Sequence, residues 1–418
     1  MIRITSVSTA VVEANFDYTY VCIEASDGTK GYGEGFFAPG LAQSMREIGA
    51  LLVGKEPTNV RSLVTMMRLA TSASSGAHGE GALLHAVSGI ETALWDLTGK
   101  LLGVPVWQLL GGKSRDTVPV YADLHAGTGL PSIDNLLRNR TPFWASQSGT
   151  TETGDFYWQS GDADELDFER IVERVQAAGH AGYRMVKLDM DVFEHPRDAE
   201  DQTLGTDQIS EIAAQAIELR ARVSPEVDIA YDCHWRFDIP SASRLHAELS
   251  PARPYWLEDP VNPTPEGLAR VARAGSIPIA SAENAYSLEG VSHLARDGGL
   301  DIATPDIQKV GGLLEGLTIA EWTHRNGIGF APHCIASPLG FAAAVHVMAA
   351  APSVRFLEFH GSDLPFWSEL VTAPVIVEGS APVPSGPGLG VELDLEVAKR
   401  YASPHEPFFT ERAPRAGA

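Results

Sequence analysis

The sequence predicts an α/β protein: a closed barrel of eight parallel strands alternating with helices, preceded by a smaller α+β domain. Three observations support this. Apolar runs ending in acid or histidine recur as Ile229-Ala230-Tyr231-Asp232-Cys233-His234, Tyr255-Trp256-Leu257-Glu258-Asp259, Ile279-Ala280-Ser281-Ala282-Glu283-Asn284, Ile302 to Asp306, Gly329 to His333 and Val354 to Glu358. Their spacing of about 25 residues is close to one strand-plus-helix unit of a barrel of about 250 residues. Helical periodicity fills the intervals between them, and the first hundred residues instead read as strands followed by helices.

In chain order, residues 2–14 and 19–26 are β-branched and alternating, with a turn at Asp27-Gly28 before Gly31-Tyr32-Gly33-Glu34. This predicts an antiparallel meander. Helices are predicted at 41–53, 58–70 and 82–102; in the last, Ala86, Ile90, Ala93, Leu94 and Leu97 form one apolar stripe and Gly103 is the stop. Barrel strands are predicted at 118–122, 183–189, 227–232, 255–259, 277–283, 301–306, 327–333 and 354–359. Helices are expected at 165–179, 207–223, 240–249, 265–273, 287–297, 311–325 and 339–350. Prolines in 360–384 make the eighth helix the weakest element, and the turn-rich tail from Pro384 is expected to return to the first domain. The connection 123–164, with Phe143, Trp144, Phe156, Tyr157 and Trp158 among Gly, Ser and Thr, reads as a lid, a subunit contact or a mobile insertion.

Length and charge narrow the function. A chain of 418 residues can bury a large core and hold two domains. A net charge of −23 disfavours general nucleic-acid or anionic-membrane surfaces. It does not exclude an anionic substrate, because a bound divalent cation dominates its own site. Cys22, Cys233 and Cys334 form no CxxC pair, so a reducing cytoplasm fits and packing roles are expected for them. The N-terminus shows no signal pattern, and no apolar stretch is expected to span a membrane.

Asp232, Glu258 and Glu283 end successive strands, and three hard oxygen donors suit Mg²⁺, with Mn²⁺ as a substitute. His333 alone reads as a core histidine; beside Asp306 on the adjacent strand it reads as a general base, the carboxylate orienting the ring and raising its pKa. Lys187, unless a surface lysine, can bind a substrate carboxylate and stabilise an enediolate. His234 lies two residues after Asp232 on the same face; it can protonate a leaving hydroxyl or support a neighbour. Glu358 can bond a substrate oxygen if protonated, or orient His333.

These segments, with Gly89-Ile90-Glu91-Thr92-Ala93-Leu94-Trp95-Asp96-Leu97, Leu109-Leu110-Gly111-Gly112, Trp256 to Pro260 and Pro305-Asp306-Ile307-Gln308-Lys309-Val310-Gly311-Gly312, resemble the enolase superfamily in its mandelate racemase-like subgroup over nearly the whole chain. The resemblance implies a modified (β/α)8 TIM-like barrel at 116–384 and an α+β capping domain built from 1–115 with 385–418. It implies Mg²⁺ on Asp232, Glu258 and Glu283, a His333–Asp306 dyad, and Glu358 as the acid of the last strand. The implied common step is removal of the proton α to a carboxylate, with Mg²⁺ stabilising the enediolate.

Racemases of the subgroup resemble Lys-x-Lys on the second barrel strand; here Asp189 takes the second place, which counts against two-base racemisation. The Asp-x-His of the third strand is similar to sugar-acid dehydratases, whose matching histidine is the general acid. The expected reaction is therefore dehydration of an aldonate or aldarate to a 2-keto-3-deoxy acid. A cycloisomerase, epimerase or racemase is the alternative, and a non-catalytic binding protein a remote one. Asn284, Asp189, Tyr18 and Phe37 are the candidate substrate contacts, Tyr18 and Phe37 from the loops around Phe16 and Phe36. The resemblance also implies a homo-oligomer, often an octamer, acting on a small carboxylate in the cytoplasm.

Overall fold

The computed structural model describes residues 2–14, 16–75, 80–124, 142–144, 168–193, 202–361 and 364–410. Strands β1 (Ile4–Val12), β2 (Tyr18–Ala25) and β3 (Lys30–Gly35) form the expected antiparallel meander. Val12 faces Tyr18 across the first pair. The turn between β2 and β3 works as predicted: Gly28 adopts φ +86° and Asp27 Oδ1 accepts the Thr29 N–H at 3.0 Å.

Three helices follow, α1 (Leu41–Gly49), α2 (Val60–Ser75) and α3 (Gly81–Leu102), with the short α4 (Val106–Leu109) after them. The helix expected to reach residue 53 ends earlier, in a 3₁₀ turn at Ala50–Leu52. The predicted stripe on α3 is fully buried, yet it is not the helix's only buried face: Ser88, Glu91, Thr92 and Asp96 are buried as well. The cause is that α3 is sandwiched between the meander and the barrel. Against β3 it lies so close that a Cβ on Gly31 or Gly33 would overlap the carbonyl oxygens of Ala93 and Gly89. On its other side Glu91 accepts the N–H groups of Leu313 and Leu314 at 2.8 and 3.1 Å.

The second unit contains all eight predicted strands: β4 (Thr117–Leu124), β5 (Met185–Asp189), β6 (Asp228–Asp232), β7 (Leu257–Glu258), β8 (Ile279–Ser281), β9 (Ile302–Ala303), β10 (Gly329–Phe330) and β11 (Leu357–Phe359). They pair in parallel in the order β10-β9-β8-β7-β6-β5-β4-β11. The ends of that path meet: Arg355 N–H donates to Phe330 O at 2.8 Å and Glu358 N–H to Pro332 O at 3.3 Å. The sheet thus curls round on itself, as the unbroken strand–helix alternation predicts.

The intervening helices are α5 (Phe168–His180), α6 (Thr206–Arg222), α7 (Ile239–Glu248), α8 (Pro265–Ala272), α9 (Ser287–Leu294), α10 (Leu313–Arg325) and α11 (Pro338–Ala350). Between residues 360 and 384 the described chain has a 3₁₀ turn, Trp367–Leu370, and a short strand β12 (Ser380–Pro382) antiparallel to β4, in place of an eighth helix. No helix among the described residues is long and apolar enough to cross a membrane.

The tail does return to the first domain. Helix α12 (Leu395–Arg400) is followed by a segment that lines β1: Glu13 N–H donates to Tyr401 O, Ser403 N–H to Val11 O and Phe409 N–H to Thr9 O. The same corner holds part of the aromatic connection. Trp144 Nε1 donates to Glu13 O at 2.8 Å and its ring stands edge-on to Phe366 and Tyr401. Phe156, Tyr157 and Trp158 lie outside the described residues.

Candidate active site

Side-chain alternation builds the site. Tyr121, Met185, Ala230, Trp256, Ala280, Ile302 and Ala331, with Phe356 packed beside them, form one separate core cluster, a layer to which each barrel strand or its flank gives one residue. Two residues further along a strand the side chain returns to the same face. That step carries Tyr121 to Asp123, Met185 to Lys187, Ala230 to Asp232, Trp256 to Glu258, Ala331 to His333 and Phe356 to Glu358. A plug of large and small apolar side chains therefore lies directly under a ring of ionisable ones. Two strands break the count. Ala282 adopts φ +112°, which turns Glu283 inward one residue late, and Asp306 follows Thr304 by two more. His234, Trp235 and Asp259 also have positive φ. Such non-glycine conformations cost about 1–3 kcal/mol each and gather where a site demands them.

Asp232, Glu258 and Glu283 are buried and converge: one carboxylate oxygen of each lies within 4.8 Å of the others. Glu258 Oε1 is buried with no hydrogen-bond partner. Burial lifts the Glu258 carboxyl to about 7, Lys187 working against it. Asp232 and Glu283 are instead held below the usual carboxylate range: burial opposes this, but His234 and Lys187 outweigh it for Asp232, and Lys309 and His333 for Glu283. Three oxygen donors around one point, one of them unsatisfied, fit a hard divalent cation. A second grouping, Asp189, Asp232 and His234, shares Asp232; its imidazole makes it the softer set.

Lys187 Nζ lies 2.8 Å from Glu358, 3.1 Å from Asp232 and 3.4 Å from Glu258. Far from being a surface residue, it is the buried counter-charge of the cluster. Despite burial, Lys187 and His333 hold the Glu358 carboxyl well below its ordinary range. Glu358 also accepts the Cys334 N–H at 2.7 Å. The arrangement thus holds Glu358 as an anion rather than the protonated donor that the sequence leaves open.

The predicted dyad is formed. His333 Nδ1 lies 2.6 Å from Asp306 Oδ2, while Nε2 faces the cluster, 3.3 Å from Glu283 and 3.8 Å from Glu358. Burial disfavours a charged ring, but Glu358, Glu283 and the bond to Asp306 raise the His333 pKa above its ordinary value. With Nδ1–H donated to Asp306, the Nε2 lone pair is the one presented to the site. Asp306 is itself braced by the Gln308 N–H at 2.6 Å.

His234 lies beside the metal cluster, Nδ1 3.5 Å from Asp189 and Nε2 3.9 Å from Asp232. Asp189, whose carboxyl burial lifts to about 6, thus faces a histidine where a second lysine was considered. Asn284 holds the cluster's rim: its Nδ2 donates to Glu283 at 2.8 Å and its Oδ1 accepts from Lys309 Nζ at 3.0 Å. Tyr18 is buried in β2 beside Tyr20, among the core side chains. Phe37 belongs instead to an aromatic roof with Phe16 and Phe36, at centroid distances of 5.3 and 5.6 Å. Phe36 reaches His333 at 5.9 Å, and Lys309 Nζ sits 3.9 Å from its ring centre.

Sequence reasoning missed Asp123, His360 and Lys309. The first two had a signal: Asp123 lies in a strand whose end was read two residues short, and His360 follows Glu358 as His234 follows Asp232. Lys309 had none beyond its motif, because its neighbours come from other strands and the cap.

Comparison with known proteins agrees with this geometry. Residues 170–397 match the family described as Enolase C-terminal domain-like, and residues 3–111 the Mandelate racemase / muconate lactonizing enzyme, N-terminal domain. The chain is 33% identical over 412 residues to D-xylonate dehydratase of Haloferax volcanii, covering 98% of this chain and 91% of that protein. It is 28% identical over 395 residues to D-galactonate dehydratase of Xanthomonas axonopodis pv. citri, covering 92% and 90%. A crystal structure of a mandelate racemase/muconate lactonizing enzyme-like protein from Rubrobacter xylanophilus superposes with a TM-score of 0.86 at 36% identity, covering 98% of this chain and 99% of that one. The chain belongs to the mandelate racemase/muconate lactonizing enzyme family of the enolase superfamily.

Proposed function

We propose that the protein is a Mg²⁺-dependent sugar-acid dehydratase that converts an aldonate to its 2-keto-3-deoxy acid. The observation that carries this is the placement of two histidines around one carboxylate cluster: His333 with its Asp306 bond at 2.6 Å, and His234 at the end of β6. The names of the two dehydratase relatives support the substrate class.

Asp232, Glu258 and Glu283 would hold the cation, which when bound neutralises the charge that develops on the substrate carboxylate. His333 Nε2 takes the C2 proton, the C2–H electrons moving into the carboxylate. Lys187 stands against that carboxylate as a second positive charge. His234 gives its proton to the C3 hydroxyl, the C3–O bond breaks, and water departs. The enol left behind takes up a proton at C3 and becomes the 2-keto acid, so the net change is loss of one water. Asp189 stands where a racemase would carry its second lysine, which favours elimination over lysine-based two-base racemisation.

In this reading residues 1–115 and 385–418 cap a barrel at 116–384, and the enzyme works as a cytoplasmic homo-oligomer, an octamer being the state to look for by light scattering. The deciding experiment is a screen of sugar acids and lactones with Mg²⁺, reading 2-keto acid with semicarbazide. A signal abolished by EDTA and by His333→Asn supports the proposal. Silence, with C2 deuterium wash-in for any of the acids, would replace it with an isomerisation.

A further inference from the structure

The ring of ionisable groups at the barrel mouth is larger than the chemistry requires. The metal set, Lys187 and His234 occupy β5 to β8, and the dyad occupies the ends of β9 and β10. One quarter of the ring, where β11 meets β4, carries Asp123 and His360, and neither has a part in the reaction above. Their position is built rather than incidental. Glu358 pairs with Tyr121 and Phe359 with Ala122, so the same parallel register sets His360 opposite Asp123. His360 Nε2 lies 3.7 Å from Asp123 Oδ2, and the side chains are 3% and 5% exposed. Asp123 is also the sheet partner of Lys187, which places this quarter directly beside the cation expected to meet the substrate carboxylate. Phe16, from the cap, stands edge-on over His360 at 5.9 Å and joins the roof that reaches His333 through Phe36. One continuous ceiling therefore runs from the base to this pair.

We propose that Asp123 and His360 form the subsite for the distal hydroxyls of the substrate, selecting polyhydroxylated monoacids of four or more carbons and rejecting diacids. This rests on the reading of the site as one for hydroxy acids. A substrate anchored by its carboxylate, with C2 at His333 and C3 at His234, must direct its remaining carbons away from both histidines, toward the quarter they leave. A carboxyl group and an imidazole can each give and accept hydrogen bonds, which matches a chain of neutral hydroxyls. A second carboxylate there would approach Glu358, which Lys187 and His333 hold as an anion, with the Asp123 and Asp189 carboxyls beside it. The site therefore favours aldonates over aldarates.

The test is binding, measured by calorimetry on Mg²⁺-loaded His333→Asn, which separates it from turnover. The probes are the D-pentonates, glycerate and the pentarates. The tightest pentonate should bind about tenfold or more tighter than glycerate, the scale expected of one or two hydrogen bonds to buried polar groups. Pentarates should bind more weakly than pentonates, and adding Asp123→Asn should shrink the pentonate-to-glycerate ratio towards one. His360→Gln should shrink it too, and it carries the comparison alone if Asp123→Asn does not fold. An unchanged pentonate-to-glycerate ratio overturns the proposal, as does an equal fall for all three probes, which would mark the pair as a support of the cluster. Pentonates that bind with this selectivity yet are never dehydrated by the parent enzyme would leave the subsite standing and remove the dehydratase reading.

Discussion

Asp306→Asn tests the core of the mechanism, because the substitution keeps shape and removes only charge. In the structure Asp306 does two things for His333: it accepts the Nδ1–H at 2.6 Å, and it adds to the negative surroundings that raise the ring's pKa. A hydrogen bond to an ionised acceptor is stronger than a neutral one by about 1–2 kcal/mol. At about 1.4 kcal/mol per unit this lowers the imidazole pKa by about one. A base must be deprotonated to act, so kcat/KM rises with pH through this pKa, and the acidic limb should move about one unit lower. The plateau should fall at the same time. An Asn amide can present its NH₂ to Nδ1, which places the ring proton on Nε2 and removes the lone pair facing the substrate. The loss should reach about 10²–10⁴-fold, the contribution of a positioned base. The assay is a pH–rate profile of 2-keto acid formation at saturating Mg²⁺. A plateau that falls with no movement of the limb, or a limb that moves to higher pH, would refute the assignment of Asp306 as the partner of the base.

Further outcomes are expected at four residues. His234→Asn should keep exchange of the C2 hydrogen with solvent deuterium, followed by NMR, while 2-keto acid formation drops about 10²–10⁴-fold; loss of both together would place His234 elsewhere in the reaction. Glu258→Gln should weaken Mg²⁺ binding, read by calorimetry, at least about 100-fold. Lys187→Met leaves Asp232, Glu258 and Glu358 without their shared cation, so the apo protein should melt lower and gain more from added Mg²⁺ than the parent; an equal Mg²⁺ response would count against a common site. Glu91 accepts from Leu313, Leu314 and Trp95, so Glu91→Ala should cost about 3–9 kcal/mol in urea unfolding, at about 1–3 per stranded donor. Burial lifts the Glu91 carboxyl to about 7 from an ordinary 4.5, so the folded state binds the extra proton between those values. The parent's stability relative to Glu91→Gln should therefore fall as pH rises from 4.5 to 7, and a rise over that range would refute the sign.

Local chemistry carried most of this protein's architecture. Strand alternation, the spacing of apolar runs and the turn at Asp27-Gly28 are properties of neighbouring residues, and they predicted all eight barrel strands and the meander. Asp232, Glu258, Glu283, Asp306 and Glu358 were found as strand ends, and alternation, which placed His234 beside Asp232, would have marked Asp123 and His360 had the count been continued. Alternation alone would have missed Glu283, because Ala282 at φ +112° turns it inward one residue late. What the tertiary structure decided is which groups share one small volume of low dielectric. Lys187 is a counter-ion because three strands bring carboxylates within 3.4 Å of it. Asn284 ties Glu283 to Lys309, and Glu91 clasps the start of α10 across a gap of more than two hundred residues. The aromatic roof depends on Phe16, Phe36 and Phe37, from the N-terminal meander, meeting over His333. Sequence spacing dictates the direction of a side chain on its own strand; the distance between charges on different strands, and with it their pKa and their partners, exists only once the sheet has closed.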